Sequence, residues 1–231
     1  MAYDYATFVQ TLANEMVTEQ TNPEFLIVLP TIIDDAEQRI YRKLDLLATV
    51  VTDQTGILTP DQRMFDLPVA SGRFVTLTQV NVFTPAGSTT TRNPMAIVSR
   101  GYLDAAWPSD TSVGTSVPNV YAMHTDQQIV VGPPPSDAFT MELVGTIRPE
   151  PLSATNTETF LTLYLPDLFF AAAMVRAAGY QKNFGAQADD KQMAGSWEAL
   201  YQERLASADA EEMRKRWQGT SWTTPAPGPR S

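Results

Sequence analysis

The sequence predicts an α+β protein, a helical bundle of about four helices with an inserted antiparallel β domain and an extended C-terminal arm. Three observations carry this. Apolar residues recur at helical spacing through residues 1–47 and 151–216. Between residues 48 and 150 β-branched residues, Gly and Pro take over, short alternating runs replace the helical period, and lysine is absent. Residues 217–231 run to Pro, Gly, Ser and Thr and are too poor in apolar residues to make a core of their own. The boundaries follow: 1–47 and 151–216 for the two parts of the helical domain, 48–150 for the insert, and 217–231 for the arm.

Taken in order, residues 4–19 predict a short amphipathic helix. Phe8, Leu12 and Met16 step by four, and Asp4 stands where an N-cap is needed. Thr21, Asn22 and Pro23 break it. Pro30 then opens a second helix on residues 31–47, because proline fixes φ near the helical value and lacks an N–H that the first turn leaves unpaired anyway. Ile32, Ala36, Ile40 and Leu44 form its buried stripe, and its polar side carries Asp34, Glu37, Gln38, Arg39, Arg42 and Lys43. The acids come early and the bases late, matching the helix dipole.

Six runs in the insert read as strands, separated by turn clusters such as Pro85, Ala86, Gly87 and Pro133, Pro134, Pro135. The run from Asn119 to Gly132 resembles a hairpin with a short polar loop, which favours a small antiparallel sheet or a sandwich. In the last strand Phe139, Met141, Leu143 and Ile147 point one way, and Thr140, Glu142, Val144 and Thr146 point the other, so one face is expected to be buried and the other wet. Residues 100–107 suggest one short helical turn.

Residues 160–182 carry the strongest helix signals. Pro166 marks the start, Asp167 follows at the positive end of the dipole, and Phe169, Ala172, Ala173, Arg176, Ala177 and Tyr180 recur at spacings of three and four. Leu168, Phe170 and Met174 extend the apolar face almost all round, so this helix must be enclosed by others, and its alanines allow close approach. Gly185 marks a stop. A last helix is expected over residues 186–217, with Met193, Trp197, Leu200, Tyr201, Leu205 and Ala208 on its apolar face and Arg214, Lys215 and Arg216 at its end.

Composition excludes several functions. With 26 acidic and 16 basic residues in 231, a net charge of -10 and four lysines, the chain lacks the cation density that gripping nucleic-acid phosphates requires. There is no cysteine, hence no disulfide frame, thiolate metal site or cysteine nucleophile. The N-terminus lacks signal-peptide features and no apolar run reaches membrane-spanning length, so no membrane role is expected. His124 is the only histidine, and it reads as a structural strand residue. No GxSxG, P-loop, GxGxxG or HExxH occurs, so neither an enzyme nor a cofactor is expected. Asp34, Asp35 and Glu37 could gather a divalent cation, but carboxylates in a first turn are more simply a solvated, dipole-matched face, as are Asp189 and Asp190. Arg39 and Arg42 could contact another chain or pair within their helix with Asp35 or Gln38. Trp222 has no core to enter and reads as an anchor for a partner, or else as part of a disordered tail.

A resemblance rests on these same stretches. The helix LPTIIDDAEQRIYRKLDL, the later LYLPDLFFAAAMVRAAGYQKN with its following Trp197-x-x-x-Tyr201 helix, and the β region from GYLDAAWP to FTMELVGTIRPEPLS resemble the head-to-tail adaptor proteins of tailed bacteriophages. Membership would imply a structural subunit made in the host cytoplasm and built into the virion neck. There it would form a homo-oligomeric ring, commonly of twelve copies, between the portal protein and a tail nozzle or tail tube protein. DNA would pass through without sequence-specific binding. It also implies a C-terminal arm that enters the portal. The partner-binding candidates are then Arg214, Lys215, Arg216, Trp217, Trp222, Pro225 and Pro227, with Arg39 and Arg42. On this reading the subunit stays monomeric or weakly associated until it meets the portal. A soluble acidic module that binds a ligand through Tyr102, Trp107 and Tyr121 is the alternative, and a hydrolase working through Asp and Glu is a weaker third. The charge balance makes a direct prediction: the protein does not hold duplex DNA. Tight, salt-sensitive retention of a duplex in a filter-binding or anisotropy titration would contradict it.

Overall fold

A computed structural model describes residues 2–70, 72–109, 115–180 and 189–219. In chain order the elements are α1 (Tyr5–Glu15), α2 (Pro23–Lys43), a 3-10 turn (Leu47–Thr49), β1 (Val50–Asp53), β2 (Met64–Asp66), β3 (Arg73–Thr84), β4 (Thr91–Pro94), β5 (Ala96–Ile97), α3 (Arg100–Ala106), β6 (Val120–Thr125), β7 (Gln128–Gly132), β8 (Met141–Arg148), α4 (Phe160–Tyr164), α5 (Pro166–Tyr180) and α6 (Asp189–Gly219). The class is mixed α+β, with six α-helices among the described residues in place of the expected four or so. Two compact units divide the chain: Met1–Leu47 with Glu150–Ser231, and Ala48–Pro149.

In the helical unit the side chain of Asp4 accepts a hydrogen bond from the Thr7 N–H at 2.7 Å, and the Thr7 hydroxyl together with this N–H holds the Asp4 carboxyl below the usual carboxylate range. The helix it caps ends at Glu15, four residues earlier than the periodicity suggested. The start of α2 corrects the expectation more sharply. Asn22 is the N-cap, its side chain accepting from the Glu24 N–H, Pro23 occupies the first turn, and Pro30 lies inside the helix. A proline in a helix interior costs about 3 kcal/mol. Here it lies on the exposed side, while Phe25 and Leu29 before it continue the buried stripe of Ile32, Ile33, Ala36 and Ile40 after it. That unbroken burial outweighs the lost hydrogen bond.

Helix α4 is a single capped turn or so before α5. The side chain of Thr159 accepts from the Thr162 N–H, and that of Thr162 accepts from the Thr159 N–H. In α5 Leu168, Phe169, Ala171, Ala172, Ala173, Met174 and Ala177 are buried, and the helix packs against α1, α2, α4 and α6. Phe8 of α1 stacks on Phe169 with ring centroids 4.7 Å apart. Tyr201 of α6 is fully buried in the same core, with Trp197, Leu200 and Leu205 half-buried around it. The expected stop at Gly185 lies outside the described residues, as does the side chain of Met193.

The β unit is a sandwich of two four-stranded sheets, ordered β1-β8-β3-β4 and β2-β7-β6-β5. All pairs are antiparallel except β5 with β6. Phe74, Val80, Val82, Met141, Leu143 and Ile147 of the first sheet meet Phe65, Tyr121, Ile129 and Val131 of the second in one core. Two register shifts interrupt β3 where it pairs with β8, and there a side chain on Gly145 would lie 2.2 Å from the Thr76 carbonyl oxygen. Only glycine fits that approach.

The opposite face of β8 is not wet where it was expected to be. Glu142 is buried and accepts hydrogen bonds from Arg92 (Nε at 2.9 Å and Nη2 at 3.0 Å), Asn81 (2.7 Å) and Gln54 (2.6 Å). The Arg92 bonds, helped by Asn81 and Gln54, hold its carboxyl below the usual range. Such a charge is tolerated because its oxygens are fully engaged. A depressed folded pKa means that the stabilisation is present above the unfolded value of 4.5 and is lost as pH falls. Glu142→Ala strands the buried Asn81 amide, and we expect it to cost about 3 kcal/mol at pH 7, with a smaller cost at pH 3. Hydrogen exchange of β8 amides in urea at the two pH values measures both.

Candidate functional site

The sequence pointed to the C-terminal end of α6 and to two arginines of α2. The helix runs to Gly219, so Trp217 stands on its last turn and not in an extended arm. It is 76% exposed, and Met213, one turn earlier on the same side, is 56% exposed. The three basic residues before it are not a free cluster. Arg214 donates from Nε to the Ala210 carbonyl at 3.1 Å. Lys215 Nζ lies 2.9 Å from Glu211 and 2.7 Å from Glu212, and these bonds raise its pKa. Arg216 donates to the Asp45 carbonyl at 2.7 Å and lies 3.4 Å from the Asp45 carboxylate. The acidic residues 211, 212 and 45 draw in the cations that the sequence reading offered to a partner. Trp222, Pro225 and Pro227 lie outside the described residues.

Beneath this end Glu212 is only 4% exposed, and its Oε2 accepts the Leu47 backbone N–H at 3.0 Å. Glu37 on α2 does the same for another stretch, with Oε1 accepting the Leu152 N–H at 3.0 Å. Sequence reasoning placed Glu37 on a solvated face and passed over Glu212. The signal was present in the spacing: Ile33, Glu37, Ile40 and Tyr201, Leu205, Ala208, Glu212 each run at intervals of three and four, so both glutamates fall on buried stripes.

Arg39 and Arg42 part company. Arg39 reaches across to α6, where it bonds Glu198 at 2.5 Å, and its guanidinium lies 4.1 Å from the Tyr201 ring centroid. The bonds from Arg39 and Gln202 lower the Glu198 pKa. Asp35 is taken by Arg176 of α5 at 2.9 Å. Arg42 remains exposed, in a shallow groove with Asp34, Asp35, Gln38 and Lys43. No group of carboxylates suited to a metal ion occurs among the described residues, and Glu37 points away from Asp34 and Asp35 into the core.

The surface so described offers packing, ion pairs and exposed apolar side chains. A family described as SU10 adaptor protein matches residues 3–226, nearly the whole chain. This chain belongs to the SU10 adaptor family. It is a structural adaptor of a bacteriophage, of the head-to-tail kind. No curated protein matches the sequence.

The aromatic alternative does not assemble in this adaptor. Tyr121 is 5% exposed in the sandwich core, whereas Trp107 packs with Leu103, Ala122 and Val130 on the other side of the same sheet. Tyr121 and Ala122 are adjacent in β6, and neighbouring strand residues face opposite ways, so Tyr121 cannot join Tyr102 and Trp107 at one site. Tyr102 and Trp107 meet edge to face at 6.3 Å. The cleft beside α3 is lined instead by Arg63, Arg100 and Asp104, with Arg63 bonded to the Trp107 carbonyl at 2.6 Å and to Asp104 at 3.2 Å. His124 contacts Arg100.

Burial makes Glu37 the adaptor's titratable group of greatest consequence. Desolvation raises its pKa from 4.5 to about 7, with Asp34 adding to the rise and the Leu152 N–H opposing it. A raised folded pKa favours the neutral acid in the native state, so its contribution is complete below pH 4.5 and is lost as pH rises through about 7. Glu37→Gln keeps the acceptor for Leu152 and removes the titration. We expect it to raise stability at pH 8 by up to about 3 kcal/mol and to leave it nearly unchanged at pH 4.5. Urea melts of both proteins at the two pH values decide the matter; equal gains at both would mean that Glu37 is not the titrating group.

Proposed function

We propose that this adaptor is a subunit of the phage neck, forming a ring, commonly of twelve copies, that joins the portal protein to a tail nozzle or tail tube protein. The observation that carries the reading is the family match over residues 3–226. Supporting it are an acidic chain without a catalytic constellation, and helical and β units that each have their own core. DNA passes through the ring without sequence-specific contact, since a net charge of -10 leaves few cations to hold phosphates. The work of the protein is then mechanical and not enzymatic.

The portal contact is proposed at the end of α6 and the residues after it. Trp217 and Trp222 offer large apolar areas, and the fixed φ of Pro225, Pro227 and Pro229 lowers the ordering cost of docking. Of the basic residues, Arg214 donates to a backbone carbonyl of its own helix, whereas Lys215 and Arg216 lie against carboxylates, so Arg214 is better placed to meet an acidic partner. A buried aromatic anchor is worth about 2 kcal/mol or more. A chain ending at Arg216 is therefore expected to fold normally and to lose well over tenfold in affinity for the purified portal ring. Electron microscopy of the mixture and a binding titration test this. A truncated chain that still decorates the portal with unchanged affinity would sink the assignment of this end.

A further inference from the structure

The chain leaves the helical unit after Leu47 and re-enters it at Glu150. Both passages are rooted in the helical unit by the same device. Leu46 and Leu152 are plugs, 1% and 3% exposed in the helical core. Beside each plug a backbone N–H that no helix or strand can satisfy is taken by a buried glutamate: Leu47 by Glu212 and Leu152 by Glu37, each at 3.0 Å.

Five consecutive residues of α6 supply ties to the first root. The Glu212 carboxylate is a bridge, Oε2 holding the Leu47 N–H while Oε1 receives Lys215 Nζ at 2.7 Å. Arg216 reaches across to the Asp45 carbonyl. Lys215 thus steadies the carboxylate that steadies the passage, and Arg216 grips the backbone two residues upstream of it. These ties belong to the end of a helix, where the last carbonyls lack intrahelical partners and turns fray.

We propose that residues 212–216 of α6 form a latch on the outgoing passage, and that a partner bound from Trp217 onward tightens it by suppressing the fraying of the helix end. The coupling rests on the portal contact proposed above; the latch itself does not. Docking at one end of the helical unit would thereby stiffen the strand of chain that leads into the β unit. The device needs no conformational change within either core. It needs only that Lys215 and Arg216 spend more time on their partners when the turn beyond them is held.

Hydrogen exchange on the full chain tests the two parts separately. In Lys215→Met with Arg216→Met, which keeps the apolar stems, the amides of residues 45–48 should exchange roughly tenfold faster, while those of α5 and β8 keep their rates. Unchanged exchange at 45–48 would overturn the latch. So would a uniform acceleration through the helical unit, because the ties would then be general supports of the fold. With the purified portal ring added, the same amides should slow in the parent protein and not in the double variant. A parent chain that binds the ring with no change at 45–48 overturns the coupling and leaves the adaptor reading intact. A parent chain that does not bind the ring overturns both the coupling and the portal contact.

Discussion

The helical unit depends on enclosing α5. Across residues 166–178 only Asp167 and Arg176 are exposed, and both are ion-paired, Asp167 with Arg204 of α6 and Arg176 with Asp35 of α2. A helix with apolar surface on nearly every side cannot face water, so its neighbours are fixed by what it needs covered. Its alanines bring α2 and α6 close. Each neighbour is then pinned by a charge at the margin, where half-exposed pairs add orientation more than stability. Arg39 completes the arrangement by joining α2 to α6 directly, through Glu198 and the Tyr201 ring.

Much of this was legible because it follows from period. The enclosure of residues 166–178, the cap at Asp4, the start at Pro166, the β character after residue 48 and the hairpin at 119–132 are all written in spacing and turn chemistry. Pro30 shows where local rules fail. Read alone it is a helix start, and only the burial of Phe25 and Leu29 on the same stripe shows that the helix begins a full two turns earlier. Glu142 and Glu37 fail for a related reason. A charged residue is read as solvent-facing by default, and what overrules that is the presence of donors far away in sequence: Arg92, Asn81 and Gln54 in one case and the Leu152 N–H in the other.

The functional surface was less legible than the fold, and the physics explains why. Catalytic sites advertise themselves through rare residue types at fixed spacing, whereas an adaptor works through ordinary packing residues and ion pairs. Arg214, Lys215 and Arg216 look alike in sequence, yet one bonds its own helix, one a pair of glutamates and one a backbone carbonyl. The difference lies in Asp45, Glu211 and Glu212. Family membership supplied what residue chemistry could not, because a match over nearly the whole chain registers the packing pattern as a whole.

The strand lengths in the sandwich carry a separate implication. The outermost strands of the two sheets are short, four residues each for β1 and β4, three for β2 and two for β5, while the inner β3 and β8 have 12 and 8. The edge strand β4 also ends in Pro94, which has no N–H to offer. Sheet-to-sheet growth between copies needs long, flat, unpaired edges; β4 covers β3 only at Asn81–Thr84, and the part of β3 that it leaves open is broken by the two register shifts at Phe74/Thr76 and Leu77/Gln79. Short outer strands, the proline and the register shifts together steer the sandwich away from edge-to-edge growth into fibres.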